Sequence, residues 1–490
     1  MDAYIGIDLG TSAAKLMLVS GDGEVLASVV KEYPIYYPAS GWSEQNPGDW
    51  FTAVADGIRA LLQRRDKNTV KGISFGGQMH GLVILDRDGG VIRPAILWND
   101  GRTQKETDYL NGTVGKERLY AYTANIAFAG FTAPKILWVK KNEPDNFKKA
   151  AKIMLPKDYL AYRLTGAHCT DYSDASGTLL LDVKNRRWSR EMLAVCSTDE
   201  AVLPKLCESF EPVGTLLPAV ADELGLSRRV AVAAGAGDNA AAAVGNGAVA
   251  NGACNISIGT SGTVFIAGDT FGADPQNGLH SFCHANGKYH LLGCILSAAA
   301  CSKWWTEDIL KTGDHAAEQT GAERYIGKND VFFLPYLMGE RSPHNDVSAR
   351  GAFIGMRPGT TRGQMTLAVL EGVAFALKDC AEAAKVSGFE IRSARVCGGG
   401  ANSPLWKQII ADVLDVPLEL PAVKGGPAYG AAILAMVAAG RYKNVEEAAD
   451  KLVKIEKRVL PQKANEENYR ERYGVFKTLY PALKDAFKLM

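Results

Sequence analysis

The residues with chemical potential in this sequence are three glycine-rich segments and a few isolated polar side chains beside them. Residues 4–19 read YIGIDLGTSAAKLMLV and residues 254–267 read CNISIGTSGTVFIA. In each, a strand-like run enters Gly-Thr-Ser and leaves as a second strand. The tips Gly10-Thr11-Ser12 and Gly259-Thr260-Ser261-Gly262 offer backbone N–H groups and hydroxyls with no bulky side chain in the way. Concave N–H arrays of this kind bind phosphate. Only Leu9 separates Asp8 from the first tip. A carboxylate cannot itself favour phosphate, but it makes sense there if Mg²⁺ lies between the two, directly or through water. Ser257 takes the same place before the second tip, so one tip handles metal and the other holds phosphate alone. Either tip by itself reads as an ordinary hairpin turn. Two, about half a chain apart, read as a duplicated design.

A third loop, Gly398-Gly399-Gly400-Ala401-Asn402-Ser403, lets the backbone approach a flat ligand closely, and Pro404 opens a helix behind it. No G-x-x-x-x-G-K-[ST] occurs, so this is not a P-loop protein. Gly235-Ala236-Gly237-Asp238-Asn239-Ala240 does fit a dinucleotide fingerprint, but an ionised Asp inside a pyrophosphate turn is unfavourable. Asp238 in a glycine-lined loop is better suited to accept a proton. His80, within Gln78-Met79-His80-Gly81, lies at a strand end among glycines. It reads either as a contact to a small polar substrate or as a turn histidine satisfied by its own loop.

The elements that must position these loops alternate between strand and helix. Tyr4 to Leu9, Lys15 to Val19 and Glu24 to Val30 are expected strands, followed by a helix over 47–65 with Asn46 as its cap and Pro47 in its first turn. Val70 to Phe75 is a strand running into the His80 loop, with short strands at Leu82 to Asp86 and Ala95 to Trp98. The second half offers a helix from Gln364 to Val386, a strand from Arg395 to Cys397, and helices from Pro404 to Leu414 and Ala428 to Ala439. Hairpins followed by alternating elements predict α/β domains with mixed sheets.

Composition narrows the function further. The 490 residues suit two to four domains, and 55 basic against 54 acidic residues leave no field that calls for nucleic acid. The 51 glycines exceed the usual ~7% without a Gly-X-Y period. Nine cysteines include no C-x-x-C pair, and the seven histidines show no metal-site spacing, so scattered thiols in a reducing compartment are expected. No signal-peptide pattern opens the chain, and the uncharged run from Asn239 to Gly268 is too polar for a membrane span. A soluble cytoplasmic protein is expected.

In combination these segments resemble the FGGY carbohydrate kinases of the actin-like ATPase superfamily, over roughly residues 3–440. YIGIDLGTSAAK is similar to that family's first phosphate loop, GTSGT at 259–263 to its second, and GGGANS at 398–403 to its adenosine loop. Residues 130–138, GFTAPKILW, resemble its first signature. Residues 351–356, GAFIGM, with Leu370-Glu371-Gly372, resemble its second. Trp42-Ser43-Glu44-Gln45, Gly77 to Gly81, Leu97 to Arg102 and Gly237 to Ala240 are similar to the branch acting on D-xylulose.

The resemblance implies two actin-like (ribonuclease H-like) domains with a cleft between them. Residues 1–248 would be a sugar-binding and phosphate-loop domain, and residues 249–490 a nucleotide-binding domain with a helical tail. It implies ATP and Mg²⁺, with Asp8 near the metal and Asp238 as the base that deprotonates the sugar. Met79, His80, Asp238 and Asn239 would contact the ketose. Thr11, Ser12, Gly259, Thr260, Ser261, Gly398, Gly399, Gly400 and Asn402 would hold ATP. A homodimer is left open. The competing reading is a nucleotide-switched partner-binding protein of the actin or heat-shock ATPase type. Among enzymes, the runner-up is a kinase acting on glycerol, gluconate, ribulose or another ketose.

Overall fold

The computed structural model describes residues 1–63, 66–276 and 278–490. Two mixed sheets share one strand plan. In the first half of the chain, β1 (Ala3–Leu9), β2 (Ala13–Ser20) and β3 (Val25–Glu32) form an antiparallel meander, and β4 (Val70–Gly77) adds parallel to β1. The sheet is completed by β5 (Pro212–Thr215), antiparallel to β6 (Ala231–Ala233), which lies parallel to β4; β7 (Ala236–Gly237) continues the parallel pairing on β4.

In the second half, β8 (Ala253–Ile258), β9 (Gly262–Gly268), β10 (His280–Cys283) and β11 (Tyr289–Ile295) are antiparallel, and β11 pairs with both β9 and β10. Then β12 (Ser393–Cys397) joins parallel to β8, β13 (Leu418–Pro421) parallel to β12, and β14 (Ile455–Val459) closes the edge. Both sheets thus pair a run of antiparallel strands, three in the first and four in the second, with two parallel additions. This is the duplicated α/β plan of the actin-like fold, and the two Gly-Thr-Ser tips are its equivalent first hairpins.

The expected helices form with small differences. Helix α1 (Pro47–Leu61) buries Trp50, Phe51, Val54, Ile58 and Leu61 as its apolar stripe requires. Asn46 stands at its N-cap with extended backbone and Pro47 opens the first turn, but the Asn46 side chain makes no capping bond. The last two residues expected in this helix, 64 and 65, fall outside the described residues. Later come α2 (Thr132–Asn142), α3 (Pro156–Thr165), α4 (Asp238–Gly245), α5 (Arg362–Val386), α6 (Pro404–Leu414), α7 (Gly426–Ala438) and α8 (Lys463–Phe487). Helix α5 starts two residues earlier than its periodicity suggests, because Thr361 and Gln364 form a reciprocal capping box.

The two halves are tied by α4 and α7. A Cβ on Gly430 of α7 would lie 1.8 Å from the Ala241 carbonyl oxygen of α4. One on Gly6 of β1 would lie 1.9 Å from the Ala428 oxygen of α7. Helix α7 follows a strand of the second sheet, yet it packs on β1 and β4 of the first. Small residues let these backbones touch. Behind it, Tyr429 donates to the Gly23 carbonyl at 3.0 Å and Arg441 pairs with Asp22 at 2.7 Å. The tail helix α8 is locked to α5 by Arg472, which meets the buried Glu371 carboxylate at 2.7 Å.

No described helix is long and apolar enough to cross a membrane. All nine cysteines are free thiols.

Candidate active site

Leu9, Gly77 and Gly237 lie in register at the ends of β1, β4 and β7. The chain leaves these three parallel strands as the first tip, the His80 loop and Asp238. Carboxyl ends of parallel strands are where open α/β sheets bind ligands. The second sheet repeats this: β8 ends in the second tip, and the neighbouring β12 ends in Gly398 to Ser403. The His80 loop and the GGGANS loop are therefore topological equivalents in the two halves.

Both tips are held by their carbonyl side. At the first, the Tyr33 hydroxyl donates to the Gly10 carbonyl, Gln45 Nε2 to the Thr11 carbonyl at 2.6 Å, and the Tyr33 amide to the Ser12 carbonyl at 3.2 Å. At the second, the Ala299 amide donates to Gly259 at 2.8 Å and the Ala298 amide to Thr260 at 2.9 Å. Trp98 Nε1 also donates to Thr11 Oγ1 at 2.9 Å. Asp8 faces Lys15 in the hairpin register, where the second hairpin has Ser257 and Thr263. Lys15 was missed from sequence. The signal was its register position opposite Asp8, which needs the hairpin to be counted out.

Asp8 senses the charge of Asp238. Burial pushes the Asp8 carboxyl up to about 7, the negative charge of Asp238 adds to this, and Lys15 opposes it. Asp238 is pushed up to about 6 by burial, against two hydrogen bonds from Asn239. The Asn239 amide and its Nδ2 both donate to Asp238 Oδ1, at 2.6 and 2.8 Å. Asp238 Oδ2 has no partner among the described residues. Asn239, expected as a sugar ligand, is thus engaged in orienting the carboxylate.

Behind Asp238 lies a charged network that sequence reasoning missed. Lys157 of α3, wholly buried, meets Asp158 at 2.6 Å, Asp171 at 3.0 Å and Asp174 at 3.6 Å. Asp171 accepts from the hydroxyls of Ser173 and Ser209, and Ser173 Oγ accepts from the Gly237 amide at 3.1 Å. The residue before Asp238 is fixed by this chain of contacts.

His80 has φ of +70°, a left-handed backbone that only a held loop maintains. Its carbonyl accepts from Lys135 Nζ at 2.9 Å and Thr132 Oγ1 at 3.1 Å, so the GFTAPK segment acts as a clamp on the His80 loop. The ring stacks on Phe131 at 4.6 Å, and Nδ1 lies 2.7 Å from the Gly177 carbonyl. Burial and then the Lys135 charge hold its pKa down to about 3, so the ring is neutral, Nδ1 donates to Gly177 and Nε2 remains an acceptor. Met79 is buried and packs against Gly237. From the second half, Arg341 lies 5.0 Å over Phe128, whose ring meets His280 and Phe131.

The segments Trp42 to Gln45 and Leu97 to Arg102 support this floor from below. Gln45 Oε1 accepts from Gln78 and Trp50, both at 3.0 Å. Arg102 pairs with Asp100 and Glu44, both at 2.7 Å, while lying 3.8 Å over Trp42.

A cavity of about 910 Å³ opens between Thr260 of the second tip and Gly399, Gly400 and Asn402, with Trp304 and Gln319 on the far wall. A Cβ on Gly399 would meet nothing within 4 Å, so that glycine borders open space. Ser403 caps α6 by accepting from the Trp406 amide at 3.0 Å and donates to Gln319 Oε1 at 2.5 Å. Gly398 and Asn402 also reach a second cavity that contains Asp8 and Lys15. Of the residues expected for nucleotide, Thr260, Gly398, Gly399, Gly400 and Asn402 line these two spaces, while Thr11, Ser12, Gly259 and Ser261 line neither; of those expected for sugar, Met79 packs against Gly237, next to Asp238.

Among the described residues, no three His, Cys, Asp or Glu side chains are placed to hold a metal. Mg²⁺ usually binds through one or two carboxylates and the substrate's phosphates. Asp8, raised by burial and by a neighbouring anion, is the donor a divalent cation would stabilise.

Comparison with known proteins agrees with the geometry. The N-terminal domain of the FGGY family of carbohydrate kinases matches residues 3–245, and its C-terminal domain matches residues 254–439. The chain is 40% identical over 482 residues to the xylulose kinase of Escherichia coli strain K12, covering 98% of this chain and 99% of that one. The crystal structure of a xyloylose kinase from Brucella ovis superposes with a TM-score of 0.93 at 39% identity, covering 99% and 100% of the two chains. A gluconate kinase from Lactobacillus acidophilus superposes with a TM-score of 0.94 at 27% identity, over 99% of each chain. With both of its domains matched, over residues 3–245 and 254–439, this chain is a carbohydrate kinase and belongs to the FGGY family.

Proposed function

We propose that the enzyme transfers the γ-phosphoryl group of ATP to the 5-hydroxyl of D-xylulose, with Asp238 as general base. The observation that supports this most is the free Oδ2 of Asp238, on a carboxylate near neutrality in pKa, beside a preformed polar loop. A base is most effective when its pKa lies near the working pH. In this reading His80 Nε2 accepts a hydrogen bond from a ketose hydroxyl, and Met79 shapes the wall next to Asp238. The C1 and C2 end of the sugar rests there, and the terminal hydroxyl reaches Oδ2.

Asp238 takes the hydroxyl proton as the oxygen–phosphorus bond forms and the bond from phosphorus to the β–γ bridging oxygen breaks. ADP and D-xylulose 5-phosphate leave, and the proton then passes to solvent. The adenosine moiety occupies the larger cavity against Gly399, Gly400 and Asn402. The amides of Thr11, Ser12, Gly259, Thr260 and Ser261 receive the phosphates. Mg²⁺, held through Asp8, would neutralise charge on the β- and γ-phosphates. Transfer of this kind needs positioning, charge neutralisation and exclusion of water, and closure of the two halves supplies the last. Free thiols throughout suit a reducing compartment, and we place the enzyme in the cytoplasm.

The relatives named as xylulose kinases support the substrate, while the gluconate kinase shows that the same fold serves an acid sugar elsewhere. A coupled ATP-consumption assay over pentuloses, polyols and aldonic acids tests the reading. D-Xylulose should give the highest kcat/KM. A higher value with glycerol, gluconate or L-ribulose overturns the substrate, and ATP turnover that ignores every sugar favours a nucleotide switch.

A further inference from the structure

The second cavity, about 670 Å³, is cationic beyond what phosphoryl transfer requires. Lys15 and Asp8 stand at one end of it. The remaining wall carries Lys407 of α6, Lys424, Lys457 of β14 and Glu456, with Gly425 to Pro427 at the start of α7. Lys407, Lys424 and Lys457 have no carboxylate partner among the described residues. They crowd one another: Lys407 is held below the usual lysine range by burial and then by the charges of Lys457 and Lys424.

The start of α7 adds to this field. The helix has 13 residues and no side-chain cap, and Gly425, Gly426 and Pro427 at its start line the cavity, so the positive end of its dipole borders the space even though Pro427 offers no N–H. The duplicated fold makes the position informative. In the first half, the helix after the last parallel strand is α4, and it begins with Asp238 at the reacting centre. In the second half, its equivalent is α7, and the residues leading into it are Lys424, Gly425 and Gly426.

We propose that this cavity is a second anion site, taking a phosphorylated small molecule while adenosine occupies the larger cavity. Uncompensated ammonium groups around an uncapped helix start match a phosphoryl dianion, and the opening toward Lys15 couples its occupancy to the phosphate tip. The inference rests on the assignment of adenosine to the larger cavity. That assignment has its own check, loss of ATP affinity on Gly399→Val.

Calorimetric titration of pyrophosphate into enzyme saturated with a non-hydrolysable ATP analogue tests the site. One saturable event is expected, weakened at least tenfold in the variant Lys407→Ala/Lys424→Ala/Lys457→Ala, with the analogue's own affinity changed less than twofold. Should the triple variant fail to fold, Lys424→Glu alone should give the same loss. No pyrophosphate binding once the analogue is bound would assign the cavity to the nucleotide's own phosphates and overturn the proposal. Equal pyrophosphate binding by the lysine variant would overturn it as well.

Discussion

Asn239 grips Asp238 by one oxygen only: its backbone amide and its side-chain amide both donate to Oδ1, at 2.6 and 2.8 Å. Both bonds favour the ionised carboxylate, and they oppose the burial that raises its pKa to about 6. In the proposed role the carboxylate must be ionised to act. Activity should therefore be full above pH 7 and fall as pH drops through about 6, approaching tenfold per unit below it. Asn239→Ala removes one stabilising bond, so the acid limb should move to higher pH. Asp238→Asn should cost about 10²–10⁴ in rate, since the amide cannot take the proton. Near-native turnover in Asp238→Asn would remove the base assignment.

Asp8 is shifted in the same direction as Asp238. With its pKa at about 7, it is partly protonated at neutral pH, held there by burial and by Asp238. A cation bound beside it favours the ionised form, so Mg²⁺ binding with ATP should release protons. Calorimetry in buffers of different ionisation enthalpy measures that release. Asp8→Asn should remove the part of it that comes from the protein, lowering the proton count, and raise the Mg²⁺ concentration needed for half-maximal rate. The same proton count in both proteins would leave Asp8 outside the metal site.

His80 is neutral, with Nδ1 committed to Gly177 and its carbonyl clamped by Lys135. Its Nε2 is the atom left for a sugar hydroxyl. His80→Ala should raise the sugar KM by a factor corresponding to about 1–3 kcal/mol, while ATP affinity measured without sugar stays unchanged. A fall in nucleotide affinity instead would show that the loop serves the other half of the cleft.

Much of this was legible because glycines and strand patterns are local signals. The hairpins around Gly10 and Gly259 could be read directly, and α6 spans the Pro404 to Leu414 expected from its opening proline. What could not be read was long-range charge pairing. Lys157 finds Asp171, and Glu371 finds Arg472 101 residues away, because burial forces any ionised group to a partner wherever the fold brings one. The crossing of α7 onto the first sheet was hidden too. Its small residues read as a generic apolar helix until the backbone of α4 lies against them.

Lys157 makes the energetic side of that argument testable. One ammonium group holds three buried carboxylates, and Asp174 is pushed well above the usual range by burial despite it. Lys157→Met leaves those carboxylates without a cation and should destabilise the protein by about 3–5 kcal/mol in urea denaturation. Because Asp171 reaches the Gly237 amide through Ser173, the milder Ser173→Ala should keep the fold but lower kcat more than it raises the sugar KM. Unchanged kcat in Ser173→Ala would make the network structural only.

Gly399 tests the nucleotide half independently of the sugar. Gly398 and Gly400 are required by their packing: a Cβ on Gly398 would lie 2.6 Å from the Ile258 carbonyl oxygen, and one on Gly400 2.4 Å from Ile258 Cγ2. Gly399 is under no such constraint, since a Cβ there would project into open space at the edge of the 910 Å³ cavity. Its lack of a side chain is explained if a flat ligand must lie against the backbone. Gly399→Val should therefore leave thermal stability within about 0.5 kcal/mol, the usual range for an exposed substitution. It should weaken ATP by at least tenfold, with sugar binding in the absence of nucleotide unchanged. A stable variant that binds ATP normally would move adenosine out of this cavity. Weakened sugar binding without nucleotide would mean that the two halves are coupled even in the open enzyme, through the contact of α4 with α7.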